Sequence, residues 1–175
     1  MTEIDLRKKK YTLLGLNQKI ERKIKKLFSK LKEKKLTIST FESCTGGCLV
    51  NELTNIPGAS EFVKGGIVAY WTEIKIKFGI SKKIIEKHSV YSEEVALSMA
   101  KKAREKFKTE IGVGITGTLS RKDPQYPEKQ VGVIFIGISI LENDLTLKLL
   151  LSEKKRNLAK KIIIDQILDI LLLNL

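Results

Sequence analysis

Leu14, Ile20, Ile24, Leu27 and Leu31 fall near a single helix face, the last four at steps of three to four, and predict a helix over 14–35. The period then drops to two. Leu36, Ile38 and Thr40 alternate with Thr37, Ser39 and Phe41, so 36–42 reads as a strand. A helix from about Thr45 to Leu53 follows, ended by the punctuation of Pro57-Gly58. GGIVAYW (65–71) reads as a buried strand, while TEIKIKFGI (72–80) fits a helical turn or a strand equally well. Ser92 with Glu93 and Glu94 marks a helix start, the acids lying at the positive end of the dipole. Val95, Met99, Ala103 and Phe107 carry its apolar stripe to about 107. EIGVGITG (110–117) is the next strand, and a long polar loop runs to about Lys129. QVGVIFIGISI and DLTLKLLLS then form two strands joined by LEND, a hairpin signal. A final amphipathic helix begins near Glu153. Strands alternating with helices, closed by a hairpin, predict an α/β protein: a single-domain layered fold with a mixed β-sheet flanked by helices.

Composition narrows the class. The 175 residues suffice for one core, and 42% apolar with 30% charged residues is a globular balance. The two cysteines, Cys44 and Cys48, cannot build a disulfide framework, which favours a reducing, cytoplasmic setting. The most apolar tail, 162–175, is interrupted by Asp165 and Asp169 and is too short to span a bilayer; no secretory leader is visible. A net charge of +13 raises nucleic-acid binding as a possibility. Much of that charge, however, lies in ERKIKKLFSKLKEKK (21–35), interleaved with apolar residues as on the solvated face of an amphipathic helix, and no nucleic-acid motif accompanies it.

Ligands of α/β folds gather at the carboxyl ends of strands. ESCTGG, AYWTEIK and TGTLSRKDPQYPEK each follow a strand, and their convergence would assemble Ser43, Thr45, Tyr70, Lys75 and Thr116. Ser43 reads either as the N-cap of the next helix or as a nucleophile. Gly46 and Gly47 each cost a helix about 1 kcal/mol relative to alanine; close approach to an anionic ligand or oxyanion, or close packing, would account for them. A nucleophilic serine needs a base. The lone histidine, His88, reads as a loop residue before a helix, which disfavours a Ser-His-Asp triad. A lysine whose charged form is penalised by burial can replace it, and Lys75 is the candidate, with Tyr70 as a proton relay. Cys44 and Cys48 have the i, i+4 spacing of a shared metal site but lack a second ligand pair; they read as small core thiols, with Cys44 an alternative nucleophile.

Taken in order, ESCTGG, IPGASEFVKGGIVAY, VYSEEVALSMAKKAREKF and IGVGITG resemble the C-terminal domain of the CinA (competence/damage-inducible protein) family. The likeness covers about residues 20 to 172. It divides the chain into 1–19, an N-terminal extension with the start of the first helix, and 20–175, the family domain. Stand-alone members are nicotinamide-nucleotide amidases, so the resemblance implies deamidation of nicotinamide mononucleotide to nicotinate mononucleotide and ammonia, without metal or cofactor. It implies Ser43 as nucleophile, Lys75 as proton acceptor and Tyr70 as relay. Backbone N–H groups around Thr45 and Gly46 would hold the oxyanion, Gly47 would belong to the same substrate-binding set, Thr116-Gly117 would contact the nucleotide, and Arg156, at the start of the last helix, would contact the phosphate. It further implies a homo-oligomer, most simply a dimer. Two departures stand out. The family's glycine-rich loop is replaced by TLSRKDPQYPEK, without glycine between Gly117 and Gly132, and Trp71-Thr72 stands where a serine-asparagine pair is usual. A binding module that has lost turnover is therefore the alternative expectation, and a basic nucleic-acid-associated protein the third.

Overall fold

The computed structural model describes residues 1–153 and 155–175. Lys154, one of the basic residues flanking Arg156, lies outside the described residues. The elements are β1 (Thr2–Asp5), α1 (Leu13–Lys34), β2 (Ile38–Glu42), α2 (Cys48–Thr54), β3 (Val63–Val68), α3 (Thr72–Lys77), α4 (Lys82–His88), α5 (Glu93–Phe107), β4 (Ile111–Gly117), β5 (Val133–Ile140), β6 (Asn143–Leu150) and α6 (Arg156–Asn174). A 3₁₀ turn at Ala59–Glu61 precedes β3. The strands form one mixed six-stranded sheet in the order β1-β6-β5-β4-β2-β3. Strands β3, β2 and β4 are mutually parallel, β5 runs antiparallel to both its neighbours, and β1 lies parallel to β6. The α/β layered architecture expected from the alternating pattern is the one observed.

Helices cover both faces of the sheet. On one, Ile20, Ile24, Leu27 and Leu31 of α1 and Ile163, Ile167 and Leu171 of α6 pack on Val113, Ile115, Ile136 and Leu149. The aspartates that interrupt the apolar tail have a partner here: Asp165 is fully buried, and Lys23 and Lys19 of α1 reach it at 2.5 and 2.8 Å. On the other face, Val95, Met99 and Ala103 of α5 pack with Phe41, Ile67 and Ile80. The alternation of glycine with Val113 and Ile115 along β4 explains how α5 sits so low. A Cβ on Gly114 would lie 2.0 Å from the Ala96 carbonyl oxygen, so only hydrogen fits between strand and helix. Gly114→Ala is expected to cost ~3 kcal/mol or more, since backbone must move to relieve the clash; a lower urea midpoint of unfolding checks it.

Several elements differ from the pattern-based reading. Thr2–Asp5, read as an extension, adds an edge strand through its register with Leu147–Leu150. Strand β3 is the opposite edge rather than a buried strand, and of its six residues only Ile67 is buried. The ambiguous 72–80 segment is helix α3. His88 ends helix α4 instead of lying in a loop, and its Nδ1 pairs with Glu94 at 2.8 Å. Among the described residues no helix is long and apolar enough to cross a membrane.

Candidate active site

Because β2, β3 and β4 are parallel, their carboxyl ends open on one edge of the sheet. Ala69 donates to the Glu42 carbonyl at 2.9 Å and Ser43 to the Ile115 carbonyl at 3.0 Å, carrying the ladders to the rim. There a cavity of about 420 Å³ is lined by Ser43, Tyr70, Lys75, Gly117 and Arg156, together with Cys44, Trp71, Tyr91 and the loop residues Arg121, Lys122 and Asp123. Its volume is in the range of small-molecule sites.

Chain geometry after β2 decides what Ser43 can do. The helix begins only at Cys48, and residues 44–47 form a turn in which Gly46 and Gly47 take φ of 62° and 87°, a conformation that costs a residue with a Cβ. Gly47 occupies the N-cap position and has no side chain to cap with. The fully buried Glu42 supplies the missing acceptor: its carboxylate takes the Leu49 and Val50 N–H groups at 3.1 and 2.9 Å. The cap reading of Ser43 is thereby overturned, since the capping position is filled from Glu42 and the Ser43 hydroxyl makes no hydrogen bond among the described residues. Sequence reasoning passed over Glu42. Its signal was an acid closing an otherwise uncharged strand just ahead of a glycine-capped helix. Glu42→Ala would leave two helix donors without an acceptor and is expected to lower stability by ~2 kcal/mol. Thermal unfolding checks this, and turnover should fall further than the lost folded fraction explains, because the turn carrying Ser43 loses its anchor.

The turn also sorts the candidate oxyanion donors. Gly46 N–H is engaged with the Ser43 carbonyl at 3.0 Å, so it is not free for a ligand, contrary to the expectation for that residue. The N–H groups of Cys44, Thr45 and Gly47 have no partner among the described residues. The Thr45 hydroxyl is buried and unpartnered, and Thr45, Gly46 and Gly47 stand behind the cavity wall rather than in it. Thr116 is likewise not in the wall: fully buried, it donates to the Val90 carbonyl at 3.0 Å. It braces the rim from behind instead of contacting a ligand.

Lys75 is 1% exposed despite its charge. Helix α3 turns it inward, and its amine donates to the carbonyls of Ala69 and Tyr70 at 3.0 and 3.3 Å. Burial disfavours the charged amine and lowers its pKa from 10.5 to about 8. No hydrogen bond joins it to Ser43; the two groups share the cavity wall. Nor does the amine meet the Tyr70 hydroxyl. Tyr70 is 58% exposed at the mouth, and its hydroxyl accepts from Arg156, the first residue of α6, at 3.0 Å. The Cys44 thiol is pushed up to about 12 and the Cys48 thiol to about 11, in both cases by burial first. The helix start does not activate either thiol. His88 lies outside the cavity, so no serine-histidine pair forms. Among the described residues no three histidine, cysteine or acidic side chains cluster as a metal site. Among the described residues, four cations, Lys75, Arg121, Lys122 and Arg156, line the cavity against the single carboxylate of Asp123, a balance that suits an anionic ligand.

Comparison with known proteins bears on the family and the fold. The family model described as the CinA C-terminal domain matches residues 20–175. A CinA-like protein of Dictyoglomus thermophilum is 44% identical over 111 residues, 63% of this chain and 27% of that protein. A putative competence-damage inducible protein of Clostridium kluyveri is 40% identical over 140 residues, 78% of this chain and 33% of the relative. The chain thus spans about a quarter to a third of the length of these relatives. Among solved structures, a CinA superfamily protein of Escherichia coli superposes with a TM-score of 0.84 at 25% identity, covering 89% of this chain and 90% of that one.

Proposed function

Because the chain belongs to the CinA C-terminal domain family, we propose that its cavity hydrolyses the carboxamide of nicotinamide mononucleotide, giving nicotinate mononucleotide and ammonia. The observation that carries the reading is a serine with an uncommitted hydroxyl sharing a cation-lined cavity with a buried lysine amine. A neutral amine has two hydrogens and one lone pair. The carbonyls of Ala69 and Tyr70 take the hydrogens, so the lone pair remains for a proton. Ser43 Oγ attacks the amide carbon as its proton passes to Lys75, and the charge that develops on the carbonyl oxygen is met by the free N–H group of Cys44, which lines the cavity. The C–N bond then breaks. Ammonia departs with the proton returned from Lys75, leaving a nicotinoyl ester on Ser43, and water releases the acid with Lys75 again as base. Substrate closes the remaining gap between base and nucleophile, as apo sites often require. Arg156, Arg121 and Lys122 bind the phosphate, while Tyr70, held by Arg156, borders the leaving group.

The missing Ser43–Lys75 hydrogen bond favours the second reading, a nucleotide-binding module without turnover. Incubating the protein with nicotinamide mononucleotide and quantifying ammonia and nicotinate mononucleotide separates the two. Stoichiometric release of both products is expected; a folded protein that binds the nucleotide and yields neither would sink the amidase.

A further inference from the structure

The glycine-free loop between Thr118 and Gly132 is folded, and its order is written in its sequence. Asp123-Pro124-Gln125-Tyr126 is a β-turn: proline stands at its second position, the Tyr126 N–H donates to the Asp123 carbonyl at 3.1 Å, and the Gln125 N–H donates to the Asp123 side chain at 2.9 Å. Tyr126-Pro127-Glu128-Lys129 repeats the device, with Lys129 N–H donating to the Tyr126 carbonyl at 3.0 Å. At the loop's base the Thr118 hydroxyl donates to the Gln130 carbonyl at 2.6 Å. A different element fastens the far end. The Tyr91 hydroxyl, just ahead of α5, donates to the Asp123 carboxylate, and the Tyr91 ring meets Tyr126 edge-on at 5.5 Å between centroids. Arg121 and Lys122 immediately precede the fastened residue. Both line the cavity, and neither has an acidic partner among the described residues.

We propose that Tyr91 and Asp123 form a clasp that positions Arg121 and Lys122 for the anionic end of the substrate, doing by rigidity what a glycine-rich loop does with backbone N–H groups. The inference rests on the amidase reading. Two prolines and the clasp restrict the loop before binding, so less ordering remains to oppose the ligand. Tyr91 and Asp123 act through the two cations; they are positioning residues.

Tyr91→Phe, which leaves every charge in place, is the cleaner variant, and Asp123→Asn is its partner. Each is expected to raise KM for nicotinamide mononucleotide on the order of tenfold, with kcat changed much less. In an Arg121→Ala, Lys122→Ala background the same clasp changes should add little, because they have nothing left to position. Independently of substrate, trypsin should cut after Arg121 or Lys122 faster in Tyr91→Phe than in the parent protein. If the parent turns over nucleotide while KM stays unchanged in both clasp variants, the inference alone falls. It falls too if the clasp changes cost as much without the two cations, or if trypsin cuts parent and variant equally. A parent protein that neither binds nor turns over the nucleotide overturns the amidase reading and this inference with it.

Discussion

Ser43→Ala is expected to lower turnover of nicotinamide mononucleotide by roughly 10³- to 10⁶-fold while leaving the fold and nucleotide binding near those of the parent. The size follows from losing the nucleophile of a covalent route, where the remaining site supplies only binding and oxyanion stabilisation. The small structural effect follows from geometry. The Ser43 hydroxyl has no hydrogen-bond partner among the described residues, so its removal orphans no buried group, and the backbone bonds to Ile115 and Gly46 are untouched. Cys44→Ala provides the contrast. A thiol pushed up to about 12 holds almost no thiolate near neutrality, so this variant should keep most of the activity. Product assays on the two variants decide the nucleophile. Full activity in Ser43→Ala together with loss in Cys44→Ala would reverse the assignment.

How far the chain announces this site depends on the kind of signal. The stripe from Val95 to Phe107 and its Ser92 cap were legible because period and capping chemistry agree; Ser92 does accept from the Val95 N–H, at 3.2 Å. The mixed sheet was legible from the order of strands and helices. Strand β1 was not, because four residues with one half-buried position carry no usable alternation and their pairing depends on a strand some 145 residues away. The helical state of α3 stayed open for a related reason. TEIKIK alternates like a strand, and only the tertiary setting makes it a single helical turn with the lysine on its buried side. Thr116 misled in the opposite direction: it ends a strand near the rim, but its hydroxyl is taken up by Val90. Local chemistry at 43–47 could be read from sequence, whereas setting aside the cap reading of Ser43 needed Glu42, whose side chain reaches seven and eight residues ahead.

The pH dependence of turnover tests Lys75 most directly. If its neutral amine is the base, kcat/KM should rise about tenfold per pH unit on the acid side and level off above an apparent pKa near 8. An unburied lysine would place that limb more than two units higher. Lys75→Met should abolish the limb along with several orders of magnitude of activity, and Lys75→Arg should not rescue it, since guanidinium keeps its proton. Stability should move in a linked way. The folded chain holds Lys75 at a lower pKa than the unfolded chain does, so folding releases a proton between about pH 8 and 10.5. Lys75 therefore makes the folded protein more stable as pH rises through that window, and its penalty is fully present below it. Comparing the parent and Lys75→Met by thermal unfolding across that range isolates the contribution, because every other titrating group is common to both. A parent profile whose acid limb persists unchanged in Lys75→Met would show that another group carries the proton, and Lys75 would be left as a buried structural amine held by Ala69 and Tyr70.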